Sequence, residues 1–220
     1  MTVAEVGTMH IQPGKTPLAA GTSDERILRG AFESIIAAPG GPSKIFWGIE
    51  ERAEKTADGD GRLWGWFEWE SLGEHEKFAR EFGGDATSRF GEVFAPGFTK
   101  HAIHSLTPLR SPVTQVLCLY FDNDVSQDTR DTVERGFEQL RRHEGYKALR
   151  GASGGWGVET DFPRRAGGGT GAVFFALLER EGLEGEIEEA REAVVLAGEM
   201  EGCVAWDEFW VRCEVLERGQ

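Results

Sequence analysis

The chain has 220 residues, and its 24 Lys and Arg against 38 Asp and Glu give a formal net charge of −14. So acidic a chain repels phosphate backbones and anionic membrane surfaces, which argues against nucleic acid as a partner. Its 40% hydrophobic residues suffice for a core, and no segment reaches the roughly 20 consecutive apolar residues that span a bilayer, so a soluble protein with no membrane partner is expected.

Residues 3–11 mix apolar and polar side chains in an extended pattern that Pro13-Gly14 stops, which predicts a first strand. A helix is predicted from Ser23, with Ile27, Leu28, Ala31, Phe32, Ile35 and Ile36 on one stripe, until Pro39-Gly40 ends it. Residues 44–55 and 63–70 read as paired strands around the turn Asp58-Gly59-Asp60-Gly61. Ser71 with Glu74 three residues on forms a capping box for a short helix through Phe78 and Phe82. A fourth strand is predicted over 98–106, and the two prolines of 107–112 mark a linker.

The order of element types then begins again. Residues 113–121 predict a strand, and 124–140 a helix with Thr132, Val133, Phe137 and Leu140 on its stripe. Residues 147–160 and 171–179 predict a hairpin joined by a mobile glycine-rich loop, 181–200 an acidic helix, and 203–216 one closing strand. A period of about 105 residues therefore divides the chain into 1–108 and 109–220. The expected architecture is α+β: tandem ferredoxin-like repeats, each a four-stranded antiparallel sheet with two helices on one face. Trp64, Trp66, Trp206 and Trp210 alternate with other apolar residues, so both faces of each sheet need cover. Face-to-face packing of the two sheets as one α/β barrel within the chain is expected.

Three blocks carry a resemblance: Phe46-Trp47-Gly48, Trp66-Phe67-Glu68-Trp69-Glu70-Ser71, and Phe90-Gly91-Glu92-Val93. With them the chain resembles the dimeric α/β-barrel superfamily over nearly its whole length, within it the antibiotic-biosynthesis-monooxygenase-like and stress-responsive barrel proteins. The third block is similar to the Phe-Gly-Asp-Val stretch of the plant polyketide cyclase that makes olivetolic acid. The resemblance implies a barrel made by pairing two single-repeat subunits. A chain holding both repeats is then a monomer with an internal pseudo-dimer, or a homodimer. The cyclase's histidine and tyrosine pair does not carry over: Thr87 stands at the histidine's place, and no tyrosine lies between Phe46 and Lys100.

Candidate catalytic residues are therefore read from the residues themselves. His10 on the first strand and His101 and His104 on the fourth can serve as a general base if one faces a dry pocket. His101 and His104 cannot both face one side of a strand, and His75 and His143 fall in charge-rich helical windows that suggest solvation. Glu68, among tryptophans on the Trp64 and Trp66 face, is either a pocket acid with a raised pKa or the outward end of a strand. Asp207 and Glu208 invite the same two readings, and Arg89 is either an enolate-stabilising cation or a surface residue. Trp47, Trp64, Trp66, Phe90, Phe94 and Trp206 are the candidate walls for a flat ligand, or else simple barrel filler.

No cofactor or metal is expected. The histidines lack ligand spacing, and Gly167-Gly168-Gly169 has no following lysine to make a phosphate loop. Cys118, Cys203 and Cys213, odd in number and set in apolar runs, suit reduced thiols and a cytoplasmic protein. The leading functional expectation is a cofactor-independent cyclase or isomerase of polyketide-like metabolism, acting by proton transfer on a small hydrophobic or aromatic substrate. The alternatives are a cofactor-independent monooxygenase acting on a phenol or anthrone, and a non-catalytic small-molecule-binding or stress-associated barrel.

Overall fold

The computed structural model describes residues 2–51, 61–142, 151–164, 168–181 and 200–219. In chain order its elements are β1 (Val3–Ile11), α1 (Ser23–Ala37), β2 (Lys44–Glu51), β3 (Arg62–Trp69), α2 (Leu72–Glu81), α3 (Gly83–Ala86) and β4 (Phe94–Ala102). They continue with β5 (Val113–Phe121), α4 (Gln127–Arg142), β6 (Ser153–Trp156), β7 (Phe162–Pro163), β8 (Thr170–Arg180), β9 (Ala205–Val211) and β10 (Glu214–Glu217). The protein is α+β, its mapped strand pairs are antiparallel, and among the described residues no helix is long and apolar enough to cross a membrane. Two compact units make up the chain: Met1–Glu50, Glu54–Thr99 and Glu214–Gln220 in unit one, Glu51–Ala53 and Lys100–Cys213 in unit two.

Unit one orders its strands β4-β1-β3-β2, the split βαβ arrangement of ferredoxin-like folds. Its helices cover one face. Strand side chains alternate, so Val3, Ile45, Trp47, Leu63 and Trp69 form the row that packs under Ile27, Leu28, Phe32 and Ile35 of α1 and Phe78 of α2. Both predicted helix starts are present. The Thr22 side chain accepts from the Glu25 backbone N–H ahead of α1, and Ser71 Oγ accepts from the Glu74 N–H at 3.2 Å ahead of α2. The opposite row, with Val6, Phe46, Trp64 and Trp66, is buried as well. Trp64 and Trp66 stack with ring centroids 5.8 Å apart, whereas Trp206 is 45% exposed.

Strand β4 begins four residues before the predicted start, because Phe94 is a core residue. Only glycine fits at position 97, where a Cβ would collide with the Thr8 carbonyl oxygen of β1. The predicted linker contains a 3-10 turn, Thr107–Arg110, with Pro108 in its opening positions and Pro108 and Leu109 buried; proline is tolerated there because the first N–H groups need no partner. The predicted closing strand is two strands. Arg212-Cys213 separate β9 from β10, and β10 pairs with β2, Glu214 opposite Trp47 and Leu216 opposite Ile45. Beyond this pairing, Glu214 meets Arg29, Leu216 packs on the core, and Arg218 donates to the Ile36 and Ala38 carbonyls.

Unit two orders its strands β9-β5-β8-β6. Leu117, Leu119 and Phe121 of β5 pack with Val133 and Phe137 of α4 and with Trp156 and Phe174. Helix α4 starts at Gln127, and Thr132 is exposed, not on the buried stripe, its hydroxyl bonded back to the Asp128 carbonyl at 2.8 Å. The predicted loop 161–169 holds β7, whose Phe162 is buried and packs against Phe175 at 5.5 Å. The predicted turn at 58–61 falls mostly outside the described residues, as do most of the acidic helix, His143 and Gly167. Cys118, Cys203 and Cys213 form no disulfide among the described residues.

Candidate active site

The helix-facing row of β1 is interrupted. Counting from Val3, the row continues through Glu5, Gly7 and Met9, and Gly7 lies opposite Gly65 of β3. Two glycines facing each other across adjacent strands leave the sheet bare under the helices. A cavity of about 480 Å³ occupies that space, with Phe32, Phe67, Phe78, Phe90 and Phe98 among its walls. This volume lies within the range of ordinary small-molecule sites.

Its polar tip is Glu5. The Trp69 indole N–H donates to Glu5 Oε2 at 2.9 Å, and His75 Nε2 of α2 stands 3.2 Å from the same oxygen. Both side chains of the Glu5 and His75 pair are nearly covered, 15% and 14% exposed, and the imidazole lies over the Trp69 ring at 4.9 Å. Burial pushes the Glu5 carboxyl up to about 7, while the Trp69 hydrogen bond pulls it down. An acid with that value is divided between its two protonation states at neutral pH, which suits it to take up and return a proton.

His75 therefore is not solvated. It shares one helix face with Phe78, Ala79 and Phe82, at the i, i+3, i+4 and i+7 positions that meet on a helix surface, and Ala79 also lines the cavity. Glu5 and His75 were both missed in the sequence. Strand parity carried a signal for the first, and the aromatic spacing of α2 one for the second.

The residues singled out in the sequence lie in several places. Phe90 lines the cavity. Trp47 is buried beneath α1, 5.1 Å from Phe32, with the Arg29 guanidinium 5.8 Å over its ring. Phe94 packs behind Phe90 at 5.6 Å. Trp64 and Trp66 belong to the opposite row of the sheet, and Trp64 donates to Glu50 at 3.1 Å. Glu68 also lies on that row, where Oε1 accepts from Lys44 Nζ and Ser43 Oγ, both at 2.7 Å. His10 sits opposite Arg62 at the end of the β1 and β3 pairing.

Arg89 forks onto Glu92, at 2.7 and 3.0 Å, and lines a second cavity of about 400 Å³ that shares Phe78 and Phe90 with the first. In unit two, His101 Nδ1 lies 2.6 Å from Glu159 Oε1. His104 rests 5.9 Å from Phe175 with its Nε2 buried and unpartnered. Burial lowers its pKa to about 4 and keeps the ring neutral. Glu208 accepts from Gln115, which in turn accepts from buried Arg180. Among the described residues no group of three or more His, Cys, Asp or Glu comes together, and Glu5 with His75 would supply two ligands of any metal.

Solved structures are similar to this fold over nearly the whole chain. No family model and no curated protein matches the sequence. A candidate monooxygenase from Fusobacterium nucleatum subsp. nucleatum is similar at a TM-score of 0.58 and 9% identity, over 99% of this chain and 95% of that one. An anthrone oxidase-like protein is similar at 0.56 and 13% identity, over 100% and 93%. A candidate monooxygenase from Lactobacillus acidophilus follows at 0.55 and 10%, over 99% and 97%. At such identities the likeness is one of fold.

Proposed function

We propose that the chain is a cofactor-independent monooxygenase that oxidises a flat phenolic or anthrone-like substrate in the unit-one cavity. The observation that carries this reading is one carboxyl, Glu5, with a pKa of about 7 at the tip of an apolar cavity of about 480 Å³. A similar fold in candidate monooxygenases and an anthrone oxidase-like protein supports dioxygen chemistry over cyclase or isomerase chemistry.

In this mechanism the phenylalanine walls hold the ring system and exclude water, which strengthens every charge interaction at the tip. The Glu5 carboxylate takes the proton from the acidic carbon or phenol. His75, 3.2 Å away, stabilises the carboxylate and can pass the proton on. The substrate carbanion gives one electron to dioxygen, the resulting radical and superoxide combine as a peroxide anion, and the proton held by Glu5 returns to it to give the hydroperoxide. Loss of water leaves a carbonyl, so a CH₂ group and O₂ become C=O and H₂O, with one oxygen atom in each product.

A cyclase or isomerase would use the same base without dioxygen, and a non-catalytic binder would need neither Glu5 nor dioxygen. Purified protein mixed with an anthrone in an oxygen electrode separates them. Oxygen uptake that needs the native protein and is lost in Glu5→Gln supports the proposal. Tight anthrone binding with no oxygen uptake rejects it.

The proposal retains Phe90 as a substrate contact, and gives no step to His10, His104, Glu68 or Arg89, none of which lines the cavity. It also reads 1–108 and 109–220 as tandem repeats, supported by matching strand orders, β4-β1-β3-β2 and β9-β5-β8-β6. Closure of the two sheets into one barrel, as a monomer or homodimer, belongs to the same proposal, and sedimentation with small-angle scattering tests it.

A further inference from the structure

Trp69 and His75 both meet the same oxygen of the Glu5 carboxylate. Trp69 Nε1 donates to Oε2 at 2.9 Å, and His75 Nε2 approaches Oε2 at 3.2 Å. No hydrogen bond from the described residues reaches Oε1. Glu5 is itself a wall of the cavity. The carboxylate thus has a tied oxygen and an open one.

We propose that Trp69 is a positioning residue: its indole N–H, together with His75, anchors Oε2 so that Oε1 is the oxygen presented to substrate as the base. This rests on the monooxygenase reading for its chemistry, though the anchoring itself does not need it. Trp69 acts through Glu5, and it also supports His75 by ring contact at 4.9 Å and Phe78 at 5.1 Å.

The electrostatic consequence follows from the geometry. An indole N–H is a donor only, so its bond to Oε2 favours the carboxylate over the acid. Among the cavity-lining residues the titratable groups are Glu5 on β1 and His75 on α2; the lining residues of β3, β4 and α1 carry none. Replacing Trp69 by Phe keeps a ring against His75 and Phe78 while removing the donor. The Glu5 titration should then move up by about one pH unit, the size expected for losing a hydrogen bond to a charged group.

The test has two arms. In native protein without substrate, the Trp69 indole N–H resonance in ¹H–¹⁵N spectra should shift with pH as Glu5 ionises, and the shift should vanish in Glu5→Gln. This arm needs no Trp69 variant. In W69F, the acid limb of kcat/KM for anthrone oxidation should move alkaline by about one unit, with the alkaline plateau much less affected. An indole N–H blind to Glu5, or a W69F limb that stays in place while the protein remains folded, overturns the assignment. If the resonance tracks Glu5 but native protein consumes no oxygen, the anchoring stands and the monooxygenase reading fails.

Discussion

Glu5 on β1 and His75 on α2 bring their side chains to 3.2 Å across the covered face of the unit-one sheet. Neither residue is near the other in sequence. The pair exists because β1 pairs with β3, placing Glu5 opposite Phe67, and because the Ser71 cap launches α2 directly from the end of β3. This relationship brings the two titratable residues that line the unit-one cavity together at one point.

Glu5→Gln keeps the size of the side chain and its contact with Trp69, while removing the base. General acid–base groups typically contribute about 10²- to 10⁴-fold in rate. Turnover of an anthrone should fall by that order, with near-UV circular dichroism unchanged. Activity within threefold of native would remove Glu5 from the mechanism.

The glycine floor predicts a size effect. A Cβ at Gly7 meets only the Phe98 carbonyl and Thr99 Oγ1, at 3.6 and 3.7 Å, ordinary contact distances, and the backbone there has no positive φ. Gly7→Val should therefore fold, yet fill the cavity. Binding of a three-ring ligand, followed by tryptophan fluorescence, should weaken at least tenfold, while a single-ring phenol should lose little. Equal losses for both ligands would show that the floor does not select for size.

Much of this fold was readable because local and global signals agreed. Ile27, Leu28, Phe32 and Ile35 recur at helical spacing and are the residues α1 buries. Ser71 and Glu74 signal a helix start, and β5 is an unbroken buried run. Glu5 was hidden because β1 is largely apolar on both faces, with Ala4 and Val6 buried opposite, so alternation alone does not say which face the helices cover. His75 was masked by charged neighbours: the window Glu74-His75-Glu76-Lys77 looks solvated until the Phe78 and Phe82 side is separated from it. The division into β9 and β10 carries no Gly or Pro at Arg212-Cys213, and what fixes it is long-range, the pairing of β10 with β2.

Glu68 tests whether the tryptophan-rich row takes part. Its Oε1 bonds Lys44 and Ser43 at the end of β3, with the Lys44 and Glu68 side chains 31% and 22% exposed. Partly exposed ion pairs contribute about 0 to 1 kcal/mol. Glu68→Gln should lower stability by no more than ~1 kcal/mol in urea denaturation and leave anthrone turnover within twofold. A loss comparable to that of Glu5→Gln would move the site to the other face of the sheet.

Ser71 caps the helix that carries His75. Removing an N-cap side chain costs about 1 kcal/mol, and Ser71→Ala should destabilise unit one by that amount. Because the cap lies four residues before His75, the looser first turn should also raise KM for an anthrone more than it lowers kcat. Unchanged kinetics alongside the stability loss would separate the cap from the site.

The strongest pH signature lies in stability. Glu5 titrates at about 7 in the folded protein against 4.5 ordinarily, so between those values the folded chain holds a proton that the unfolded chain has released. The slope of unfolding free energy with pH follows protons bound unfolded minus folded, which is negative here. Stability from this group is thus complete below about pH 4.5 and is lost as pH rises through about 7. A shift of this size corresponds to roughly 3 kcal/mol. In Glu5→Gln that decline should disappear, so urea midpoints for the variant should be nearly level from pH 5 to 8 relative to native, and the variant should be the more stable of the two at pH 8. Parallel curves would mean that the Glu5 carboxyl is solvated in solution and its pKa is ordinary, and the acid–base reading of the cavity would lose its foundation.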